Sequence, residues 1–205
     1  MRLLRWTAIS VVTLVLLAAG TLGGYSGYLH LVGNIHVVEP GELYRSATLP
    51  TERLDRLMAE KGIRTIVNLR GGNGDAWWKA ERAVAEKHGA DFVSFHLSAD
   101  RQPTPETMRQ LAFILKNAPK PILVHCKAGA DRAGLASAIY ELAVDGDPAV
   151  DADKQLSFRY GHFPWLGSKT GAMDRAFDAF DQDYAARQAG ESTAVASADD
   201  PQKAR

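Results

Sequence analysis

The sequence predicts an α/β domain whose mostly parallel sheet is covered by helices on both faces and is preceded by one N-terminal transmembrane helix. Short apolar runs alternate with amphipathic helical segments through the middle of the chain. The runs IRTIVNL and PILVH lack polar alternation, which is typical of parallel strands buried on both faces. An uncharged stretch near the N-terminus predicts the membrane helix.

Composition limits the domain count and the classes of partner. The chain has 205 residues, of which 46% are hydrophobic, so it can bury the core of one ordinary domain. Lys plus Arg (24) equal Asp plus Glu (24), and this balance gives no reason to expect nucleic acid as a partner. A single cysteine excludes an internal disulfide and a multi-cysteine metal cluster. We expect no metal and no cofactor.

The N-terminal region predicts a membrane anchor. Residues 6–24 carry no charge and are long enough to cross a hydrocarbon core of roughly 30 Å as a helix. Arg2 and Arg5 precede this stretch, whereas the next basic Lys or Arg is Arg45. The positive-inside bias therefore places residues 1–5 in the cytoplasm and the domain outside it, in the periplasm of a Gram-negative cell. A cleaved signal peptide is the alternative, although no convincing A-x-A site follows.

The first half of the domain follows a short spacer, residues 25–35. The segment IHVVEPGELYRSA contains two short extended runs around a Pro-Gly turn signal, so the domain begins at residue 36. A helix is predicted over 51–61 and ends at Gly62, and a strand follows over 63–69. A glycine-rich loop then leads into a second helix over 75–88.

The second half alternates in the same way. A strand over 92–97 and the loop SADRQP precede a helix over 104–118, with Pro105 in the first turn, and then the strand PILVH. Further helices are predicted over 132–144, 150–160 and 171–186. The domain is predicted to end at residue 187, because residues 188–205 lack aromatic residues and apolar periodicity, which favours a disordered tail.

The segment CKAGADR predicts a phosphate-binding loop. It leaves the carboxyl end of a buried strand and runs straight into a helix, where open α/β sheets tend to bind ligands. Backbone N–H groups at such a helix start attract a tetrahedral anion, and Gly129 permits the tight turn that the loop needs. The same positive potential stabilises a thiolate. Cys126 is therefore predicted to be a nucleophile.

Arg132 completes the predicted loop. Five residues separate it from Cys126, and its planar guanidinium can hold two phosphoryl oxygens at once. In this scheme Cys126 attacks phosphorus while Arg132 and the loop amides stabilise the equatorial oxygens. Water then hydrolyses the resulting thiophosphate without help from a metal ion.

The segment HCKAGADRAG resembles the HCxxGxxR signature of protein tyrosine phosphatases. The blocks GELYRSATLP, GIRTIVNLRG and PILVHCKAGADRAGLASAIY are similar to bacterial dual-specificity phosphatase-like proteins, over roughly residues 36–165. The resemblance implies hydrolysis of protein phosphotyrosine, phosphoserine or phosphothreonine, or of a lipid or small-molecule phosphomonoester. It also implies that His125 orients the loop and supports the thiolate. The loop residues that would surround the substrate are Lys127, Ala128, Gly129, Ala130 and Asp131.

Three residues in or next to the loop bear on the substrate and on the rate of the implied reaction. Lys127 either adds positive charge beside the substrate or is only a solvated loop residue. The negative charge of Asp131 argues against strongly polyanionic substrates. Ala133 stands where the family usually has Ser or Thr, whose hydroxyl helps the thiolate to leave, so we expect slow release of the intermediate.

The leaving group needs a proton, which the family takes from an aspartate on an upstream loop. Asp100, in the loop after the strand FVSFHL, is the predicted general acid. Asp75 in the glycine-rich loop is a rival, and Asp91 is weaker because it precedes its strand.

Two other functions remain open at this point. A rhodanese-like sulfurtransferase also places a cysteine at the start of a loop that leads into a helix, but Arg132 and the upstream blocks disfavour it. A catalytically weak or inactive phosphate-binding module is favoured only by Ala133. Hydrolysis of an aryl phosphate separates these functions.

Overall fold

The structure, a computed structural model, describes residues 2–165 and 167–198. The longer elements, in chain order, are α1 (Arg2–Leu31), β1 (His36–Glu39), β2 (Leu43–Ala47), α2 (Thr51–Lys61), β3 (Thr65–Asn68), α3 (Ala76–Lys87), β4 (Asp91–Ser94), α4 (Pro105–Asn117), β5 (Ile122–Cys126), α5 (Asp131–Tyr140), α6 (Ala149–Ala152) and α7 (Ala172–Ala198). A π-helical turn (Glu141–Asp145) extends α5, and 3-10 turns occupy Asp153–Gln155, Phe158–Tyr160 and Lys169–Gly171.

The five strands form a mixed sheet in the order β1-β2-β5-β3-β4. Only β1 is antiparallel, because it joins β2 through the predicted Pro-Gly turn; β2, β5, β3 and β4 are parallel. β5 lies at the centre, between β2 and β3. Its carboxyl end, where Cys126 lies, is therefore walled by strands on both sides.

Helices cover both faces of the sheet, as the sequence predicts. On one face, β3 and β5 residues such as Val67 and Val124 pack with α4, α5 and α7. On the other face, Ile66 and Leu123 pack with α2 and α3. Neighbouring strand residues point to opposite faces, so a strand between two helical layers must be apolar throughout.

Helix α1 is long and apolar enough to cross a membrane. The segment long and apolar enough is Ile9–Leu31. Its most apolar 18 residues have a mean hydropathy of 1.7, and none of them is buried. The structure differs from the predicted spacer, because α1 continues through residues 25–31 instead of ending at 24. The chain turns only at Val32–Asn34, where Arg53 donates hydrogen bonds to the carbonyls of Leu31 (3.0 Å) and Val32 (2.5 Å).

Two other segments depart from the sequence prediction. The predicted helix over 150–160 is α6 followed by separate 3-10 turns, because the Gln155 carbonyl and side chain accept hydrogen bonds from a buried arginine of β2. Residues 188–198 are helical in α7 where a disordered tail is predicted. Alanine and glutamine there have high helix propensity, and they extend a helix that is already packed against the domain. Residues 199–205 of that tail lie outside the described residues.

Candidate active site

The loop of residues 127–130 joins β5 to α5. Cys126, the last residue of β5, is paired in register with Ala47 of β2 and is only 2% exposed. The side chain of Cys126 is therefore reached through the loop rather than from open solvent.

The first three carbonyl groups of this loop are turned away from its centre by hydrogen bonds. The Thr48 hydroxyl donates to the carbonyl of Cys126 at 3.1 Å, and the Thr48 amide donates to that of Lys127 at 3.4 Å. The Asn34 side-chain amide donates to the carbonyl of Ala128 at 2.9 Å. Asn34 is buried and has a left-handed backbone with φ of 46°, which asparagine tolerates better than most residues.

Arg45 holds the next two carbonyl groups. Its Nη2 donates to the carbonyls of Gly129 and Ala130, each at 2.9 Å, while Nη1 donates to the backbone and side-chain oxygens of Gln155. Arg45 is fully buried and lies over the Tyr160 ring at 4.1 Å. Burial lowers the pKa of Arg45 to about 10, so it remains charged at neutral pH.

Five successive carbonyls, from residues 126 to 130, thus have donors outside the loop. Because each peptide group carries its N–H opposite its C=O, the loop amides face the other way. Within the described part of the chain, no amide of residues 127–130 has a protein acceptor. This concave set of N–H groups at the start of α5 suits a tetrahedral dianion.

Gly129 fits a space that excludes any side chain. Its φ is +72°, and an added Cβ would lie 2.6 Å from the Ala47 amide nitrogen and 2.7 Å from the Ser46 carbonyl carbon. Both neighbours are backbone atoms of β2, so the loop rather than the sheet would have to move. Glycine is required here by contact as well as by conformation.

Gly129→Ala is expected to lower kcat/KM for an aryl phosphate by on the order of 100-fold, since a shift of about 1 Å in a catalytic group can have that effect. Gly41→Ala is the matched control, because Gly41 also has a positive φ (+79°) but nothing within 4 Å of its Cβ position. Both variants carry the same backbone cost of about 1–2 kcal/mol. Equal activities of the two variants would contradict a steric role for Gly129.

Arg132 lies where two strand ends meet the loop. Its Nη1 donates to the carbonyls of Leu69 (3.3 Å) and Leu97 (3.2 Å), which follow β3 and β4. Its Nε is buried and has no partner among the described residues. One edge of the guanidinium is therefore fixed by the protein, and the other retains an unpaired donor that an anion could satisfy.

His125, which is predicted to orient the loop, lies near the carboxyl end of β5, next to Cys126. Its side chain is buried against α3, where Nε2 lies 2.9 Å from Oε1 of Glu81. This contact is not a hydrogen bond, and neither ring nitrogen has a hydrogen-bond partner within the described ranges. Glu81 and His125 thus form a close buried contact behind the loop, and the role of His125 toward the thiolate stays a prediction.

Asp131 is bound by the protein itself. His162 Nδ1 lies 2.7 Å from its carboxylate, and His162 Nε2 lies 2.9 Å from the carboxylate of Asp174 in α7. His162 is buried, and burial opposes its charge, but the hydrogen bonds and charges of Asp131 and Asp174 raise its pKa above the ordinary value. Once protonated, His162 neutralises part of the negative charge beside the loop.

This arrangement predicts a pH-dependent stability. A raised pKa in the folded state means that the contribution of His162 is complete below its ordinary pKa of about 6.5 and is lost as the pH rises through the raised value. In urea unfolding, the loss of stability caused by His162→Gln should therefore be larger at pH 6 than at pH 9. The same loss at both values would show that the protonated imidazole adds nothing.

Comparison with known proteins decides the family. Residues 37–161 match the family model described as a DSP-PTPase phosphatase fused to NAD+ kinase. The chain belongs to this DSP-PTPase family. The family is one of dual-specificity and tyrosine phosphatases, as the signature predicts, and this membership favours phosphatase chemistry over the sulfurtransferase alternative.

Relatives of this chain include the dual specificity protein phosphatase TpbA of Pseudomonas aeruginosa, which is 32% identical over 116 residues. That match covers 55% of this chain and spans about half (48%) of the curated relative. The crystal structure of TpbA matches with a TM-score of 0.54 and 25% identity, over 74% of this chain and 91% of TpbA. The catalytic core of the Saccharomyces cerevisiae PP-IP phosphatase Siw14 shares the fold, with a TM-score of 0.58 and 19% identity, over 78% and 93% of the two chains.

The candidate general acids lie in the loops that follow Leu69 and Leu97, the residues whose carbonyls accept hydrogen bonds from Arg132. Asp100 is exposed in the loop after Leu97, and its amide donates to the Ser98 hydroxyl. Asp75 lies in the loop after Leu69 and precedes α3, and its carboxylate accepts a hydrogen bond from Trp77 Nε1 at 2.9 Å. Both loops begin beside Arg132, so either aspartate remains a candidate.

Asp91 is placed as the sequence predicts. It begins β4 and pairs with Thr65, the first residue of β3. These residues lie at the amino ends of the parallel strands, whereas the loop follows their carboxyl ends. Asp91 is therefore on the opposite edge of the sheet.

A cationic cavity of about 460 Å³ adjoins the loop that follows Cys126. Its basic lining residues are His30, Arg53, Arg70 and Lys127. Lys127 is exposed there, which agrees with either of its two proposed roles. The Arg70 guanidinium stacks on Trp77 at 4.0 Å and is thereby held at the cavity rim.

Sequence reasoning missed the residues that shape the loop from outside. Arg45 falls inside the block GELYRSATLP and is fully buried. The signal that could have found it is an arginine in a short strand that also contains Leu43, Tyr44 and Ala47, since a buried arginine needs internal acceptors. Asn34 and His162 carry no comparable local signal.

Proposed function

We propose that this chain is a cysteine-dependent phosphatase in which Cys126 forms a thiophosphate intermediate and Arg132 with the loop amides binds the phosphoryl oxygens. The observation that carries the proposal is the set of five outward-held carbonyls, because it leaves the intervening amides directed at one anion. Charge that develops on the equatorial oxygens would then meet donors that are already oriented. The unpaired Nε of Arg132 adds a further donor.

The proposed substrates are phosphomonoesters, either protein phosphotyrosine, phosphoserine and phosphothreonine or a lipid or small-molecule phosphate. A variant of the related TpbA has been crystallised with phosphotyrosine, which supports phosphomonoester recognition by a loop of this kind. Protonated His162, which contacts the Asp131 carboxylate, would offset part of the negative charge that argues against polyanionic substrates. Ala133 is fully buried, and slow release of the intermediate remains the expectation there.

We further propose that α1 anchors the phosphatase in the membrane as a single span, with residues 1–5 in the cytoplasm and the domain outside. The exposed apolar surface of Ile9–Leu31 and the two arginines before it support this topology. The domain would lie in the periplasm of a Gram-negative cell.

Hydrolysis of p-nitrophenyl phosphate tests the activity. The full chain should release p-nitrophenol in the presence of a chelator, and Cys126→Ser should abolish the release. Persistent tungstate binding without turnover would instead favour a phosphate-binding module. Transfer of sulfur from thiosulfate without phosphate release would favour the sulfurtransferase alternative.

The general acid can be identified from its dependence on the leaving group. Asp100→Asn should lower kcat for phenyl phosphate, whose leaving group needs a proton, by about 100-fold or more and remove the basic limb of the pH–rate profile. The effect should be much smaller with p-nitrophenyl phosphate, which has a better leaving group. Asp75→Asn is the matched control. Loss of the basic limb in the Asp75 variant alone would assign the acid to Asp75.

A further inference from the structure

An aromatic cluster lies where α1 meets the domain. We define it as Tyr25, Phe158, Phe163 and Trp165, whose successive ring centroids are 5.2, 6.4 and 5.1 Å apart. None of the four belongs to either hydrophobic core of the described chain. Trp165 is 57% exposed and Phe158 is 36% exposed. These rings therefore form a surface feature that continues the apolar surface of α1 onto the domain.

The end of α1 is fixed to the domain by contacts on two sides. On the cluster side, the Tyr25 hydroxyl donates to the Arg159 carbonyl at 2.6 Å, and Leu29 is buried beside Gly161. On the other side, Arg53 binds the last carbonyls of the helix turn. A helix held in this way sets the tilt and the height of the domain above a membrane, which a flexible linker would not do.

Helix geometry gives the position of the cluster relative to the hydrocarbon core of the membrane. A hydrocarbon core of roughly 30 Å takes about 20 helical residues at 1.5 Å each. A span that starts at Trp6 ends near Tyr25, and one that ends at Leu31 starts near residue 12. The outer boundary thus falls within residues 25–31. Exposed tryptophan and tyrosine prefer this boundary, because their rings are apolar and their N–H or O–H group is polar.

The phosphate-binding loop lies beside the same part of α1, near the outer boundary of the membrane. A cavity of about 290 Å³ separates the turn Ser26–His30 of α1 from Ala128 and Ala130 of the loop. His30 also lines the cationic cavity that contains Arg70 and Lys127. The headgroup layer extends about 5–7 Å beyond the hydrocarbon on each side, and five residues of helix rise about 7.5 Å. The loop is therefore adjacent to the lipid headgroups.

We propose that the substrate is a lipid phosphomonoester presented by the bilayer in which α1 is anchored, and that the aromatic cluster seats the domain on that bilayer. This inference rests on the proposed phosphatase function. The cationic cavity suits the anionic headgroup, and the cluster suits the acyl boundary beneath it.

The reaction balances without a further reactant. The Cys126 thiolate forms an S–P bond as the ester P–O bond breaks, and the general acid gives its proton to the lipid oxygen. Water then forms an O–P bond as S–P breaks, and its proton returns to the same carboxylate. The products are the lipid alcohol and inorganic phosphate.

The test uses the full chain reconstituted in phosphatidylcholine vesicles that contain long-chain phosphatidic acid. Phosphate release is compared with that from monomeric dihexanoyl phosphatidic acid, from a soluble phosphotyrosine peptide and from p-nitrophenyl phosphate. The vesicle lipid should be hydrolysed with a kcat/KM about tenfold or more above that of the peptide, because the domain is held beside it. A peptide that is hydrolysed faster than the vesicle lipid would overturn the proposal.

The variant Trp165→Ser tests the seating. It should lower turnover of the vesicle lipid by about tenfold, the loss expected when one large aromatic ring no longer inserts at the boundary. Its rates with dihexanoyl phosphatidic acid and p-nitrophenyl phosphate should stay within about twofold of the parent. Phe113→Ser is the matched control, because Phe113 is 69% exposed but lies on α4, away from the cluster.

Equal effects of Trp165→Ser on all substrates, or no effect on the vesicle lipid, would overturn the seating role. Turnover of p-nitrophenyl phosphate without turnover of vesicle lipid would overturn the lipid proposal and leave the phosphatase function intact. Failure with every substrate would overturn both.

Discussion

Arg132→Lys is expected to lower kcat/KM for p-nitrophenyl phosphate by on the order of 10³-fold, the scale of losing one oriented donor to the transition state. The guanidinium of Arg132 is fixed by the carbonyls of Leu69 and Leu97 and retains its buried Nε. An ammonium is a single point charge, so it cannot satisfy those carbonyls and present a planar pair of donors at once. Steady-state kinetics and the Kd for tungstate both measure this loss.

The control for Arg132→Lys is Arg56→Lys, since Arg56 is an exposed residue of α2. It should leave kcat/KM within about twofold of the parent, as surface substitutions usually do. Thermal unfolding of both variants separates a local defect from a folding defect. Retention of more than a tenth of the parent kcat/KM by Arg132→Lys would contradict the proposed role of the guanidinium.

Arg45→Met is expected to reduce both stability and activity. Arg45 is the donor for the carbonyls of Gly129 and Ala130 and for both oxygens of Gln155, and methionine replaces its volume but none of its donors. Buried acceptors that lose a charged partner should reduce the free energy of unfolding by about 3–5 kcal/mol. The loop carbonyls would then be free to rotate inward, and kcat/KM should fall by about 100-fold or more.

Two further variants make the Arg45 prediction specific. Gln155→Leu removes the side-chain oxygen that Arg45 binds and the Nε2 donor to Glu141 but leaves the loop contacts in place, so kcat/KM should change by less than about tenfold. Arg45→Lys retains the charge but cannot reach Gln155 and the loop together, and it should lose activity even if the methionine variant does not fold. Full activity in Arg45→Lys would show that charge alone, without the two-sided geometry, suffices.

The sequence predicted the elements that depend on local patterns. β3 and β5 lie within the predicted apolar runs, and Gly62 ends α2 with φ of +65° as its position after Lys61 predicts. Thr104 caps α4 and Pro105 begins it. Such signals are readable because strand burial and helix capping depend on neighbours a few residues away.

Local patterns were insufficient where a distant group competes with the helix. The predicted helix over 150–160 breaks after Gln155, since the buried Arg45 takes the carbonyl and side chain of that residue. The predicted spacer is helical as far as Leu31 because the domain supplies contacts to Tyr25, Leu29 and the last carbonyls of α1. In both cases the contacting groups lie outside the segment whose structure they decide.

By itself, the sequence determined the identity of the loop: Cys126, Gly129 and Arg132 are contiguous, and their spacing is set within one strand–loop–helix unit. Only the tertiary structure decided what holds that loop open, because its carbonyl donors come from Asn34, Arg45 and Thr48, about 80 to 95 residues earlier in the chain. It likewise decided that Asp131 is paired with His162 and that α1 ends beside the loop. These contacts join segments that are distant in sequence, so no local spacing encodes them.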